Sequence, residues 1–220
     1  MRRLTAILMI TLLWATPALS GAWPRGKGNV FFQSALRVSA SDKTGPYAVY
    51  STTYLEYGAT DTLTFGLDLG HGVSGDTKAI VFARLPIAVI ADKHHVAVEL
   101  GAGTLAGQAT LRPGLSYGRG FKTVRDMTGW FAIDSFAELR TASGQVDFKT
   151  DITLGLNHND RFKSMIQFQS GMSEGDNIFL RVEPSLVIRL GKKSHIELGL
   201  TAGLVGEDQL GVKFGFWRDF

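Results

Sequence analysis

The sequence predicts an all-β protein: a closed antiparallel transmembrane β-barrel of about twelve strands, with ten or fourteen as the other counts the pattern allows. Three observations predict it. Apolar and small or polar residues alternate with period two along nearly the whole chain, and no stretch shows 3.6-residue periodicity. The chain opens on a secretory leader. It closes on Gly215-Phe216-Trp217-Arg218-Asp219-Phe220, an aromatic end behind the alternating run Leu210, Val212, Phe214 and Phe216.

The leader has three parts. Arg2 and Arg3 form a basic start, Leu4 to Ala15 an apolar stretch, and Pro17 breaks it before the small residues of Ala18-Leu19-Ser20. The apolar stretch is too short to cross about 30 Å of hydrocarbon as a helix, so it reads as a signal peptide over residues 1–20. Cleavage is expected after Ser20 or after Ala22, and residues 21–220 are expected to form one domain. The chain has no cysteine, which removes both lipoprotein anchoring and disulfide stapling. Net charge is +3, but Arg2 and Arg3 belong to the leader. The rest is near neutral and carries no basic patch for nucleic acid. With no helical span after the leader, the chain can cross a membrane only as a closed barrel.

Counting alternating runs gives 29–39, 47–58, 62–71, 77–88, 95–105, 110–119, 129–140, 145–157, 161–170, 177–190, 195–205 and 209–220. Tilted strands of about 9–11 residues suffice to cross a bilayer. The clearest run sets Leu63, Phe65, Leu67 and Leu69 against Thr64, Gly66, Asp68 and Gly70. Turn signals separate the runs. Thr60-Asp61, Ala91-Asp92-Lys93, Asn157-His158-Asn159-Asp160 and Gly191-Lys192-Lys193 mark one rim. Ser41 to Pro46, Ser74-Gly75-Asp76, Ser143-Gly144 and Gly171 to Asp176 mark the other. An even count puts both termini on the periplasmic side. Pro86, Pro113 and Pro184 interrupt proposed strands and should mark bulges or strand ends, since proline donates no ladder hydrogen bond.

Aromatic residues gather at strand ends that this count assigns to the periplasmic side: Phe31, Phe32, Tyr57, Phe121, Trp130, Phe131, Phe162, Phe216, Trp217 and Phe220. They are expected to form a girdle at headgroup level.

Alternation alone does not say which face is wet. The aromatic terminus, the uninterrupted apolar face and the glycines opposite it favour lipid on the apolar side. The opening Gly21-Ala22-Trp23-Pro24-Arg25-Gly26-Lys27-Gly28 resembles that of small proteobacterial outer-membrane barrels of the XagA-like or outer-membrane transporter type. So does Tyr54-Leu55-Glu56-Tyr57-Gly58-Ala59-Thr60-Asp61 followed by Leu63-Thr64-Phe65-Gly66-Leu67-Asp68. The resemblance covers about 40 residues well. It implies a barrel in the outer membrane of a Gram-negative bacterium and carries over no catalytic residue.

On this register the inner wall holds Arg84, Glu99, Arg112, Asp134, Glu138, Arg140, Lys149, Asp151, Arg181 and Glu183, with Glu56, Asp68, Lys78, Asp147, Lys163, Arg189, Glu197 and Lys213. Neighbouring runs should pair Arg84 with Glu99, and Glu138 or Arg140 with Lys149 or Asp151. Two functions follow. The charges could line a narrow channel for small polar or ionic solutes, or they could knit the lumen shut in a structural or adhesive barrel. A third reading, an outer-leaflet lipid-modifying enzyme, rests only on His71 with Ser74 and Asp76 at one external turn. His94-His95 is expected in an exposed periplasmic turn beside Asp92, and His158 and His195 near other turns. No nucleophile elbow, phosphate loop or zinc-protease helix is present, and no cofactor or metal is expected. Expected partners are outer-membrane lipid, lipopolysaccharide (through the acids Asp76, Glu174, Asp176, Glu207 and Asp208) and the assembly machinery, through the strand ending in Phe220. The barrel is expected to be a monomer.

Overall fold

The computed structural model describes residues 21–40, 47–73, 75, 77–172, 178–206 and 209–220. The leader 1–20, the turn 41–46, Ser74 and Asp76 beside His71, and the external acids Glu174, Asp176, Glu207 and Asp208 lie outside the described residues.

Period-two patterning yields twelve strands: β1 (Val30–Ala40), β2 (Tyr47–Gly58), β3 (Thr64–Gly72), β4 (Thr77–Ile90), β5 (His94–Leu105), β6 (Gln108–Lys122), β7 (Thr128–Arg140), β8 (Val146–Asn157), β9 (Phe162–Met172), β10 (Phe179–Arg189), β11 (Ser194–Val205) and β12 (Leu210–Asp219). Each pairs antiparallel with its sequence neighbours. β1 also pairs with β12, from Phe31↔Asp219 to Ala40↔Leu210, so the sheet closes and has no edge. Closure satisfies the backbone polar groups that an open sheet would leave bare in hydrocarbon.

Side-chain polarity is inverted relative to a soluble β-sandwich. Phe65, Val81, Leu100, Leu115, Leu154, Leu200 and Phe214 point outward and are exposed. Glu56, Arg84, Glu99, Arg112, Glu138, Glu183, Glu197 and Lys213 are buried inside. An apolar jacket around a charged interior is stable only when lipid replaces water on the outside, which makes this a transmembrane barrel.

The three in-strand prolines disturb the ladder where expected. β4 bulges between Pro86 and Ala88. The β6–β7 pairing passes from Leu111↔Leu139 to Gly114↔Phe136, skipping Pro113, and β10–β11 passes from Val182↔Ala202 to Ser185↔Gly199, skipping Pro184. Both Pro113 and Pro184 face outward.

Local chemistry sets the turns. Thr60 Oγ1 accepts from the Leu63 amide at 2.8 Å, and Asn159 Oδ1 accepts from the Phe162 amide at 2.9 Å. Ala106 and Gly107, both at positive φ, make the two-residue link between β5 and β6.

Two expectations are corrected. Phe31, Trp130 and Trp217 do not join an aromatic girdle: all three are buried and lie inside the barrel. The reason is alternation. Trp130 precedes Phe131 and Trp217 follows Phe216, so one of each pair must turn inward. Tyr57, Phe121, Phe131, Phe162, Phe216 and Phe220 take the outward parity and are half-buried or exposed. Nor are His94 and His95 an exposed turn. They begin β5, where His94 Nδ1 lies 2.7 Å from the Tyr117 hydroxyl and His95 packs on Trp23 at a ring separation of 5.3 Å.

Candidate functional site: the charged interior

Every second residue of each strand points into the barrel, so neighbouring strands bring inward charges into contact. One network begins at Glu56 of β2. Arg84 Nη1 lies 2.5 Å from Glu56 Oε1, and its Nη2 lies 2.7 Å from Glu99 Oε2. Arg112 links Glu99, at 2.9 Å, to Asp68, at 2.5 Å, and Lys78 Nζ completes the chain 2.8 Å from Asp68. The Tyr54 hydroxyl donates to Glu56 at 2.7 Å and accepts from Arg84 at 2.9 Å. Aromatic faces support the guanidiniums: Arg84 lies over Phe82 at 5.0 Å and Arg112 over Phe136 at 4.7 Å. Charges alternate in sign along this line, which is the arrangement that offsets the cost of burying them.

A second network crosses the opposite wall. Lys213 Nζ lies 3.0 Å from Glu197 and 3.4 Å from Glu183. Arg37 pairs with Glu183, and the Trp217 indole donates to Glu197 at 3.0 Å. A third group joins β7 and β8: Lys149 pairs with Glu138 at 2.9 Å and Arg140 with Asp147 at 2.6 Å. The Arg84–Glu99 pair is therefore as expected. Of the alternatives between β7 and β8, Glu138–Lys149 forms, while Arg140 takes Asp147 rather than Asp151. Arg181 donates to Gln169 at 3.4 Å and lies over Phe179. Asp134 and Asp151 face each other across β7 and β8.

All ten inner-wall residues take the inward parity. The sequence reading missed Arg25, Arg37, Tyr54, Phe31 and the two tryptophans. Arg37 was visible in principle, flanked by the outward Leu36 and by Val38. Arg25 was not, because it lies in no strand.

That segment, Gly21 to Asn29, enters the barrel from the rim where β1 begins and β12 ends. Ala22 is 0% exposed. Trp23 lies against Gly118, where a Cβ would come within 2.4 Å of its ring. The Arg25 amide donates to Thr64 Oγ1 at 3.1 Å, and its guanidinium pairs with Glu56. The Gly28 amide donates to the Gly58 carbonyl at 2.8 Å. At Gly58 a Cβ would fall 1.8 Å from the Gly26 carbonyl oxygen, so only glycine admits the segment there.

Above this segment lies a cavity of about 630 Å³. Ser39, Ala48, Gly72 and Gln209 line it near the opposite rim, and Phe31, Trp130, Trp217 and Gly21 near its floor. Its walls carry charges of both signs, the amides of Gln33, Gln167 and Gln169, and aromatic rings. Such a space can hold a small hydrated solute and offers it donors, acceptors and π faces. Among the described residues no three His, Asp or Glu side chains converge as a metal site.

No family model and no curated protein matches the sequence. Solved structures do match in fold. The NanC porin superposes with a TM-score of 0.63 at 8% identity, over 85% of this chain and 98% of that one. The KdgM porin, solved in complex with disordered oligogalacturonate, gives 0.62 at 7% identity over 86% and 99%. An outer membrane channel from Pseudomonas putida gives 0.58 at 11% identity over 93% and 99%. At these identities the likeness is one of fold: this chain shares the architecture of small outer-membrane barrels.

Proposed function

We propose that the protein is a narrow, porin-like channel of the Gram-negative outer membrane, for passive passage of small polar or ionic solutes. The observation that carries this reading is the cavity of about 630 Å³ inside an apolar-clad barrel, lined by charges of both signs. The porin and channel descriptions of the structures it resembles support it. Because the lumen charges largely cancel in pairs, strong selection for one ion sign is not expected. The leader over residues 1–20 supports export, and the strand ending in Phe220 suits recognition by the assembly machinery. The outward apolar face suits contact with lipid and lipopolysaccharide, as a monomer and not as an enzyme.

Two contacts bear on the XagA-like resemblance. Its two segments touch: Arg25 pairs with Glu56, and Gly28 hydrogen-bonds Gly58. What the motifs have in common is the docking of the N-terminal segment.

One observation favours a second reading, a structural or adhesive barrel with its lumen closed by charge. It is the same docked segment, together with the continuous ion-pair network. Planar bilayers decide between the two. Pure folded protein should give small, discrete current steps, and deletion of residues 21–28 should enlarge them. Absence of steps in both proteins would establish the closed, structural reading instead.

A further inference from the structure

Asp134 and Asp151 are Cα partners on adjacent strands, both facing the cavity. Like charges directly opposite on a sheet repel. Among the described residues neither carboxylate has an ion pair. Ser116 donates its hydroxyl to Asp134 Oδ1 at 2.6 Å, which is neutral help only. The nearby cations are committed elsewhere: Arg84 to Glu56 and Glu99, Lys78 to Asp68, Lys149 to Glu138. The interior therefore pairs its other acids carefully and leaves this facing pair without a cation.

Gly21 sits against Asp134 of that pair. A Cβ built on it would fall 2.5 Å from Asp134 Oδ1 and 3.0 Å from Oδ2. Nitrogen and Cβ share one Cα, so the Gly21 nitrogen is within about 5 Å of the carboxylate. Gly21 has φ +90°, lines the cavity, and precedes a residue with no exposed surface. The small residues Ala18 and Ser20 stand immediately upstream.

We propose that export processing cuts between Ser20 and Gly21, and that the new α-ammonium of Gly21 becomes the counter-ion of Asp134 and Asp151, anchoring residues 21–28 in the lumen. The step is a hydrolysis. Water adds across the Ser20–Gly21 peptide bond, the leader leaves with a Ser20 carboxylate, and Gly21 gains a protonated amine. Cleavage after Ala22 would instead remove Gly21, the residue that lies against Asp134. The inference does not depend on whether the barrel conducts.

The test uses the chain purified from outer membranes. Its intact mass should correspond to a start at Gly21, and a start at Trp23 would overturn the proposal. The amine is then acylated with an N-hydroxysuccinimide ester at neutral pH, in folded and in urea-unfolded protein. Labelling of Gly21 in the folded barrel should be at least tenfold slower, and equal rates would overturn the proposal. In the folded D134N/D151N double variant the rate should rise at least fivefold, and an unchanged rate would overturn the charge pairing. If that double variant does not fold, D134N alone and a refolded chain with one extra residue before Gly21 replace it. Adding the residue should lower the urea midpoint in the native background but have little effect in D134N. Equal effects in both backgrounds would overturn the pairing.

Discussion

The Trp217 indole donates a hydrogen bond to Glu197 Oε2 at 3.0 Å, inside the barrel and away from lipid. Glu197 has no exposed surface, and its other oxygen meets Lys213. A residue at the chain's aromatic terminus, where a lipid-facing girdle was expected, is thus part of the interior's electrostatic scaffold. Its neighbour Phe216 takes the outward parity and packs toward Phe32.

Replacing Trp217 with Phe should destabilise the folded barrel by about 2 kcal/mol, the scale of a buried hydrogen bond to a charged group. Phe216→Leu, on the outward face, should change stability by less than about 1 kcal/mol, since it is a swap of apolar groups against lipid. Urea unfolding in detergent or lipid vesicles measures both.

Trp23, Trp130 and Trp217 all lie within the barrel. Fluorescence of the folded barrel over residues 21–220 should therefore be quenched only weakly by vesicles of brominated-chain lipid. Phe131→Trp moves an indole to the outward parity and should add a strongly quenched component. Strong quenching in the parent protein would mean that the tryptophans face lipid after all.

Arg84 bridges Glu56 and Glu99 with almost no exposed surface. Arg84→Met removes the guanidinium between two buried carboxylates, leaving Glu56 with Arg25 and Glu99 with Arg112, and should cost about 3 kcal/mol, the low end of the scale of a broken buried ion pair. Adding Glu99→Gln should recover part of that loss, because the two changes act on one network. A fully additive double variant in urea titrations would contradict the network.

Gly155 stands under Trp130, where a Cβ would approach Cζ2 to 2.2 Å. Gly155→Ala should therefore destabilise by about 1–3 kcal/mol through overpacking. Adding Trp130→Leu should reverse most of that loss. Unfolding midpoints of the three variants test the contact.

Much of the architecture was legible in the chain. A period of two survives any tertiary context, because successive side chains on a strand must point to opposite faces. The runs 62–71, 145–157 and 195–205 thus declared their outward and inward residues directly. Charge on the inward parity was legible for the same reason, as was the Arg84–Glu99 pair, which lies in directly adjacent strands. The prolines announced the ladder interruptions at Pro86, Pro113 and Pro184, since a missing N–H is a covalent fact.

Three features emerged only on folding. Trp130 and Trp217 read as interfacial by residue type and position, yet one-residue parity sent them inward. Arg140 had several acids within reach along the sequence, and strand register chose Asp147. Gly21 to Asn29 has no period to read. Its place in the lumen depends on Gly58 and Gly118 leaving room, and on Glu56 meeting Arg25 from 31 residues away. Local alternation decides which way a side chain points. Which partner it meets depends on how the closed sheet brings distant strands and an irregular segment into one enclosed space, and only the tertiary structure decided that.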